Sequence, residues 1–319
     1  MPIRVVFFGT PDIAVPTLRL LAQTPDLRPV AAFTQPAARR SRRGQAEPSE
    51  VARAARELGI ETHEVASVNE DNAFAKLQAL TPDVIVVVSF GQILKKRVLE
   101  LPRHGCLNFH PSALPKYRGA APIQRAIMAS ERVSGLTIMR LVKKLDAGPI
   151  LAQHPWEIGE VRNSEELMAE AATLGAAMML EVLSELARGE TVAAREQDDS
   201  QATLAPPLRK EDGILDFRRD AIALRDLVRG VQPWPRAQTM LAGETPRRVI
   251  VHGAEVRDLA GPMGEVVAID KGGIVIGCGN DALCISQAQL EGKSVVSGFQ
   301  LANGLRLQRG ARFALPENA

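Results

Sequence analysis

An amide, an imidazole and a carboxylate (Asn108, His110 and Asp146) stand within one stretch of the chain, Gly105–Leu151. Together they suit acyl transfer: the amide steadies an oxyanion, the imidazole moves a proton, and the carboxylate orients the imidazole. Cys106-Leu107 supplies the end of a buried strand, and alternation then places Asn108 and His110 on one face. Pro111 and Pro115 stop regular structure and force an irregular loop beyond that strand. Arg118-Gly119 turns the loop, and Ala120–Ala129, with Pro122 in its first turn, reads as a helix. A second strand, Gly135–Val142, leads to the turn Leu145-Asp146-Ala147-Gly148, which returns the carboxylate. Taken alone, Asn-x-His is also what an ordinary hydrogen-bonded strand end looks like.

The elements before this stretch must position it. Arg4–Gly9 is a continuous apolar run, as in a parallel strand buried on both faces. Asp12–Ala22 reads as a helix, Pro29–Thr34 as a strand, Val51–Leu58 as a helix, Glu61–Val65 as a short strand and Asn69–Leu80 as a helix. Asp83–Ser89 is the clearest buried strand. This alternation predicts an α/β fold, a doubly wound and mostly parallel sheet, with ligands gathering beyond the carboxyl ends of its strands. Gly9–Asp12, Phe90–Leu94 and Asn108–Pro115 all fall at such ends. Gly9-Thr10-Pro11 is not GxGxxG, so a dinucleotide fingerprint is absent. Asn163 with Glu166 resembles a capping box opening a long helix to about Ala187, on which Met168, Met178 and Met179 fill core. His154 and Trp156 are assigned to packing. Arg188–Ala205 is polar and poorly periodic, so the linker is placed at 190–205. After a short helix at Asp220–Arg229 come glycine-bounded strands at Arg248–His252, Gly264–Ile269, Gly273–Gly277 and Ala282–Gln287. These predict a small C-terminal β-barrel, OB-like.

Hydrophobic residues at 45% and charged residues at 24% are ordinary for a globular protein. No apolar run approaches bilayer-spanning length, so no membrane partner is expected. The first residues enter a strand directly, so no secretory leader is expected. The three cysteines form no CxxC pair, which predicts reduced thiols, a cytoplasmic setting and no metal site. A net charge of +2 leaves any nucleic-acid role to local charge. Arg39, Arg40, Arg42 and Arg43 supply it, with no acid between Asp26 and Glu47. A charge run is usually a solvated face, but this one sits in an irregular loop at the carboxyl edge of the sheet. An arginine-rich loop there suits the phosphates of a polyanion.

Asn108-x-His110, Ser112-Ala113-Leu114-Pro115, Tyr117–Gln124 and Leu145-Asp146-x-Gly148 together resemble the folate-dependent formyltransferases. Phe7-x-Gly9-Thr10-Pro11-Asp12 resembles that family's opening turn, and Pro233-Trp234-Pro235 and Gly310-Ala311-Arg312-Phe313 resemble segments of its tRNA-directed branch. The resemblance covers nearly the whole chain. It implies a catalytic domain at 1–189 and a tRNA-binding barrel at 206–319. It implies transfer of the formyl group of 10-formyltetrahydrofolate to the α-amine of methionine on initiator tRNA, in translation initiation. Asn108, protonated His110 and Asp146 would be catalytic, with Asp146 holding His110 and taking the amine proton through a water. Phe90, Gly91, Ile93 and Leu94 would border the pterin, and Ser112, Ala113, Leu114 and Pro115 would hold the folate. A metal-free, cytoplasmic monomer is expected.

Two departures matter. Ala113 stands where the family has Leu, removing apolar bulk from the loop. After Phe33-Thr34-Gln35-Pro36 the chain has AARRSRRGQ, so Arg42 or Arg43 must stand for the family's key loop arginine. The residues leave the acceptor open, because formyltransferases acting on glycinamide ribonucleotide or an amino sugar nucleotide share the same centre. A non-catalytic nucleic-acid-binding protein is the remaining reading, and it leaves Asn108, His110 and Asp146 unexplained.

Overall fold

The computed structural model describes residues 3–39 and 45–315, and of Arg39 only the backbone. Arg40, Arg42 and Arg43 therefore lie outside the described residues.

Two compact units are present: Met1–Pro122 with Ser134–Trp156 and Met168–Ala205, and Ile123–Val133 with Glu157–Leu167 and Pro206–Ala319. Strands of the first unit are β1 (Val5–Gly9), β2 (Ala31–Thr34), β3 (Ala38–Arg39), β4 (Ala46–Glu47), β5 (Glu61–Glu64) and β6 (Val84–Val88). They continue as β7 (Cys106–His110), β8 (Arg118–Gly119), β9 (Val133–Arg140), β10 (Ile150–Glu157) and β11 (Leu204–Ala205). The helices of this unit are α1 (Val15–Ala22), α2 (Glu50–Glu57), α3 (Asp71–Ala79), α4 (Lys96–Leu99) and most of α6 (Ser164–Ala187), whereas α5 (Pro122–Met128) falls almost wholly in the second unit.

Every residue of β1 and β6 is buried, which is why these strands are unbroken apolar runs. The main sheet runs β10-β9-β7-β6-β1-β2-β5. β5, β2, β1, β6 and β7 are parallel, and β9 runs antiparallel to β7. This is the doubly wound, mostly parallel sheet that the alternation predicts. After β1 the chain builds outward through β2 and β5, then returns to lay β6 on the other side. The switch point lies between β1 and β6, where ligands gather in sheets of this kind. Phe8 anchors the core there, its ring 5.2 Å from Phe33 and 4.8 Å from Phe90.

Local chemistry moves some boundaries. Pro16 lacks an N–H, and the turn Asp12–Ala14 closes as a 3-10 helix before α1 begins at Val15. Asn163 caps α6 as expected: its Oδ1 accepts from Glu165 and Glu166 N–H, and Glu166 accepts from Asn163 N–H. An 18-residue window of α6 has mean hydropathy 1.4, enough by length and composition to cross a bilayer, contrary to the expectation from the apolar runs. Half of that window is buried within the protein, and Glu165 and Glu166 open the helix. Gly175 lets it lie on β7, since a Cβ there would come within 2.4 Å of the Phe109 ring. Trp156 is buried, its indole N–H donating to Glu170. His154 is exposed, so the packing expected of it is found only at Trp156.

The second unit contains α7 (Ala221–Gly230), β12 (Ala237–Leu241), β13 (Arg247–Arg257), β14 (Val266–Asp270), β15 (Gly273–Gly277), β16 (Ala282–Leu290), β17 (Val295–Ser297), α8 (Gly298–Leu305) and β18 (Phe313–Ala314). Its antiparallel sheet runs β14-β15-β16-β13-β12-β18, with β17 on β16. The sheet curls until its ends meet: Glu265 bridges Arg312, Val266 N–H donates to Ala311 O, and Phe313 N–H donates to Gly264 O. The result is the small barrel expected from the glycine-bounded strands.

On the buried face of α7 is Asp226, fully buried. It is paired with Arg229 at 2.8 Å, Arg225 at 3.0 Å and Arg132 at 3.2 Å. Burial opposes its charge, but bonds from Arg225, Ser130 and Arg229 outweigh that and hold the carboxyl below its usual range. Asp226→Ala would leave three guanidinium groups without their shared counter-ion. A loss of about 3–5 kcal/mol is expected in chemical denaturation, the usual cost of breaking a buried pair from one side.

Candidate active site

β7 carries Asn108 and His110 to the edge of the sheet, beside β6 through the Val87–Asn108 pair and beside β9 through the His110–Thr137 pair. Asn108 is half-buried, and among the described residues nothing is hydrogen-bonded to its side-chain amide. His110 is 4% exposed. Its Nε2 lies 2.9 Å from Tyr117 O. A carbonyl only accepts, so Nε2 carries the hydrogen and the free lone pair is on Nδ1. Nδ1 faces Asp146 Oδ2 at 3.8 Å.

Asp146 arrives from the turn between β9 and β10, closed by Arg140 N–H donating to Pro149 O. Its backbone is left-handed, at φ +45°. Aspartate tolerates that region better than most residues, but the conformation persists only where neighbours hold it. Gly119 N–H donates to Asp146 Oδ2 at 2.8 Å. Gly119 itself is at φ +128°, and a Cβ there would stand 2.5 Å from Ala205 O. Only glycine lets β8 pair with β11 so closely while pointing its N–H at the carboxylate.

The electrostatics follow from this packing. Burial pushes the His110 pKa below the ordinary histidine value, while Asp146 and the Tyr117 carbonyl act in the opposite direction. The lowered pKa favours the neutral imidazole in the resting site. Charge on it becomes tolerable only as a proton reaches Nδ1 against the carboxylate.

The loop after β7 is supported from below. Ser112 is completely buried and its hydroxyl donates to Lys116 O at 2.7 Å, so the side chain braces the loop and is not presented to a ligand. Thr137 Oγ1 donates to Ser112 O, and Gln153 Nε2 donates to Leu114 O at 2.9 Å. Leu114 is buried with Met139 and Ile150. Ala113 lies against Gly135, where a Cβ would come within 2.9 Å of it.

The loop after β6 divides in the same way. Phe90 and Leu94 belong to the core. Gly91 is at φ +78°, and Ile93 is 86% exposed. Thr10 and Gln35 both donate to Phe90 O, at 2.9 and 3.1 Å, and Asn69 donates to Ile93 O at 2.7 Å. The sequence pattern singles out neither Gln153 nor Asn69, and it marks Gln35 only as part of Phe33–Pro36. Each is an isolated amide whose partner is a distant backbone carbonyl.

The sign of the His110 shift makes a direct prediction. A histidine with a depressed folded-state pKa favours the folded state above its unfolded value of about 6.5, and that contribution is lost as pH falls through the folded pKa. The His110 imidazole, followed by NMR, should titrate below pH 6.5. Asp146→Asn should move its midpoint lower still, because the carboxylate is what raises it.

Residues 3–183 match the formyl transferase family, and residues 207–306 match the formyl transferase C-terminal domain. A methionyl-tRNA formyltransferase of Geobacter metallireducens is 39% identical over 311 residues, covering 97% of this chain and 98% of that one. Among solved structures, the sugar 3N-formyl transferase WlaRD, in the presence of dTDP and 5-N-formyl-THF, has TM-score 0.65 at 15% identity, over 92% of this chain and all of that one. The methionyl-tRNA formyltransferase from Clostridium thermocellum has TM-score 0.55 at 15% identity, over 93% of this chain and all of that one. At such identities the solved structures establish the fold. The family matches and the full-length relative establish more: the chain belongs to the formyl transferase family, in its methionyl-tRNA formyltransferase branch.

Proposed function

We propose that this protein transfers the formyl group of 10-formyltetrahydrofolate to the α-amine of methionine esterified to initiator tRNA. The carrying observation for the chemistry is a buried imidazole whose Nδ1 faces a carboxylate, near an amide that no described residue engages. For the acceptor, it is likeness to a methionyl-tRNA formyltransferase along 97% of the chain, barrel included. Residues 1–189 are then the catalytic domain, 190–205 the linker and 206–319 the tRNA-binding barrel. Three free, buried cysteines suit a reducing cytoplasm, and the chain acts there as a monomer without a metal.

The residues at the sheet edge fit a folate. A flat heterocycle with amide-like edges needs an apolar surface beside backbone polar groups, and the loop of Gly91 and exposed Ile93 supplies both. Ala113 and Pro115, both half-buried, offer apolar surface and backbone from the facing loop, while Leu114 anchors it in the core. The bound folate supplies the formyl group; the protein supplies position and proton transfer. Asn108 donates to the oxygen of the formyl carbon as negative charge develops on it. His110 Nδ1 takes the proton released when the amine nitrogen bonds to that carbon. The carbon–nitrogen bond to the folate then breaks, and His110 returns the proton to the departing nitrogen. Asp146 compensates the charge held on the ring between these steps.

With saturating substrates, His110→Ala should lower turnover by roughly 10²–10⁴-fold and Asn108→Ala by roughly 10²–10³-fold. Turnover near wild type in either variant would remove that residue from the mechanism. The acceptor is tested separately, by offering labelled formyl donor with charged initiator tRNA or with an amino sugar nucleotide. Formylation of tRNA alone is expected; preference for the sugar would overturn the reading.

Arg39, Arg40, Arg42 and Arg43 are proposed to bind tRNA phosphates. For every phosphate that a variant leaves without its arginine, the salt dependence of tRNA binding should flatten by roughly 0.7–0.9 in log–log slope. Arg42→Ala or Arg43→Ala should reduce kcat/KM more than Arg39→Ala does. Four single variants at two salt concentrations decide this, and equal, negligible effects would make the loop a solvated face.

A further inference from the structure

Gln197 lies in the polar stretch 188–205, half-buried between exposed neighbours. A side-chain amide has two N–H groups and one oxygen with two lone pairs, and in Gln197 all of them are used. Nε2 donates to Asp146 O at 2.9 Å and to Gly148 O at 2.7 Å. Oε1 accepts from Arg118 Nη2 at 2.8 Å and from Arg118 Nε at 3.1 Å. Arg118 is itself buried, and its Nη1 donates to Asp199 Oδ1 at 2.8 Å.

One amide thus joins the two supports of the Asp146 carboxylate. On one side it grips the left-handed backbone of Asp146 and, two residues on, Gly148. On the other it grips Arg118, the residue just before the Gly119 N–H that fixes the carboxylate oxygen. Around the turn there is little room for slack, since a Cβ on Gly148 would stand 1.8 Å from Arg140 O. The same chain segment closes the other flank: Arg118 N–H donates to Thr203 O, and Tyr117 N–H donates to Thr203 Oγ1 at 2.9 Å.

We propose that Gln197 is a positioning residue for formyl transfer, holding the Asp146 carboxylate where it compensates charge on His110. It acts through Asp146 and Arg118 rather than on either substrate, and its role rests on the catalytic reading of Asp146. A residue that only ties down its own segment would have the same hydrogen bonds, so the test must read the reaction itself.

The experiment is a double-mutant cycle in kcat, on the full chain with both substrates saturating. The variants are Gln197→Ala, Gln197→Glu, Asp146→Asn and the Gln197→Ala/Asp146→Asn double. Gln197→Glu is nearly isosteric and can still accept from Arg118, but it offers the two carbonyl oxygens no donor. Both Gln197 variants should lower kcat by roughly 10- to 100-fold, as for a displaced catalytic group, with each KM within about twofold of wild type. In the Asp146→Asn background the further loss should be less than about threefold, because the two residues serve one function. If the Ala variant does not fold, the Glu variant and its double with Asp146→Asn read the same quantities. A kcat within about twofold of wild type in the folded Gln197 variants, or losses that multiply in the double, would overturn the assignment. Near-normal kcat in Asp146→Asn alone would instead overturn the reading of the centre, and the role of Gln197 with it.

Discussion

A buried imidazole that must become charged needs a carboxylate held within reach, and most of the local structure here meets that requirement. His110 sits where water cannot stabilise an added proton, so its pKa falls and its resting state is neutral. Its Nε2–H is committed to Tyr117 O, which leaves Nδ1 as the one site for a proton. Asp146 faces that nitrogen from a left-handed turn, with Gly119 N–H on its oxygen. None of these groups is placed by its immediate neighbours alone. Tyr117 and Gly119 are fixed by the chain at 203–205, and the turn is fixed by β9 and β10.

This arrangement explains what could and could not be read in the sequence. The parallel sheet was legible because Val84–Val88 and Val5–Gly9 are buried on both faces and so contain nothing polar. Asn108 and His110 were legible as one face of a strand because alternation needs no tertiary information. β8 and β11 were not, since two-residue strands have no period and their pairing spans more than eighty residues. Ser112 illustrates a different limit. Its place in the motif invites a ligand role, yet its hydroxyl is spent on Lys116 O inside the loop. Asn69 and Gln153 carry no local signal, because what each does is defined by a carbonyl elsewhere in the fold. In the barrel, β12 and α8 went unmarked while β15 was read residue for residue, its glycines bounding a fully buried run.

Chemistry and acceptor choice separate in this chain. On the proposed reading, the centre built on β7 and the Asp146 turn moves one formyl group and one proton, chemistry that formyltransferases with smaller acceptors also perform. The same reading leaves the choice of acceptor to the barrel and to the arginine loop, whose four arginines carry the charge a polyanion needs. That division is general among folds that host several related activities, where the scaffold carries the reaction and appended elements select the substrate.

The central claim is that His110 starts neutral and carries its proton only against Asp146. The most direct measurement is the pH dependence of single-turnover formyl transfer to charged initiator tRNA, for wild type and Asp146→Asn. A lower plateau rate is predicted in the variant, with an acid limb displaced to lower pH, since the carboxylate no longer raises the His110 pKa. Ionisation of the acceptor amine would be common to both proteins and would not move between them. An acid limb that stays in place, at an unchanged rate, would contradict the claim.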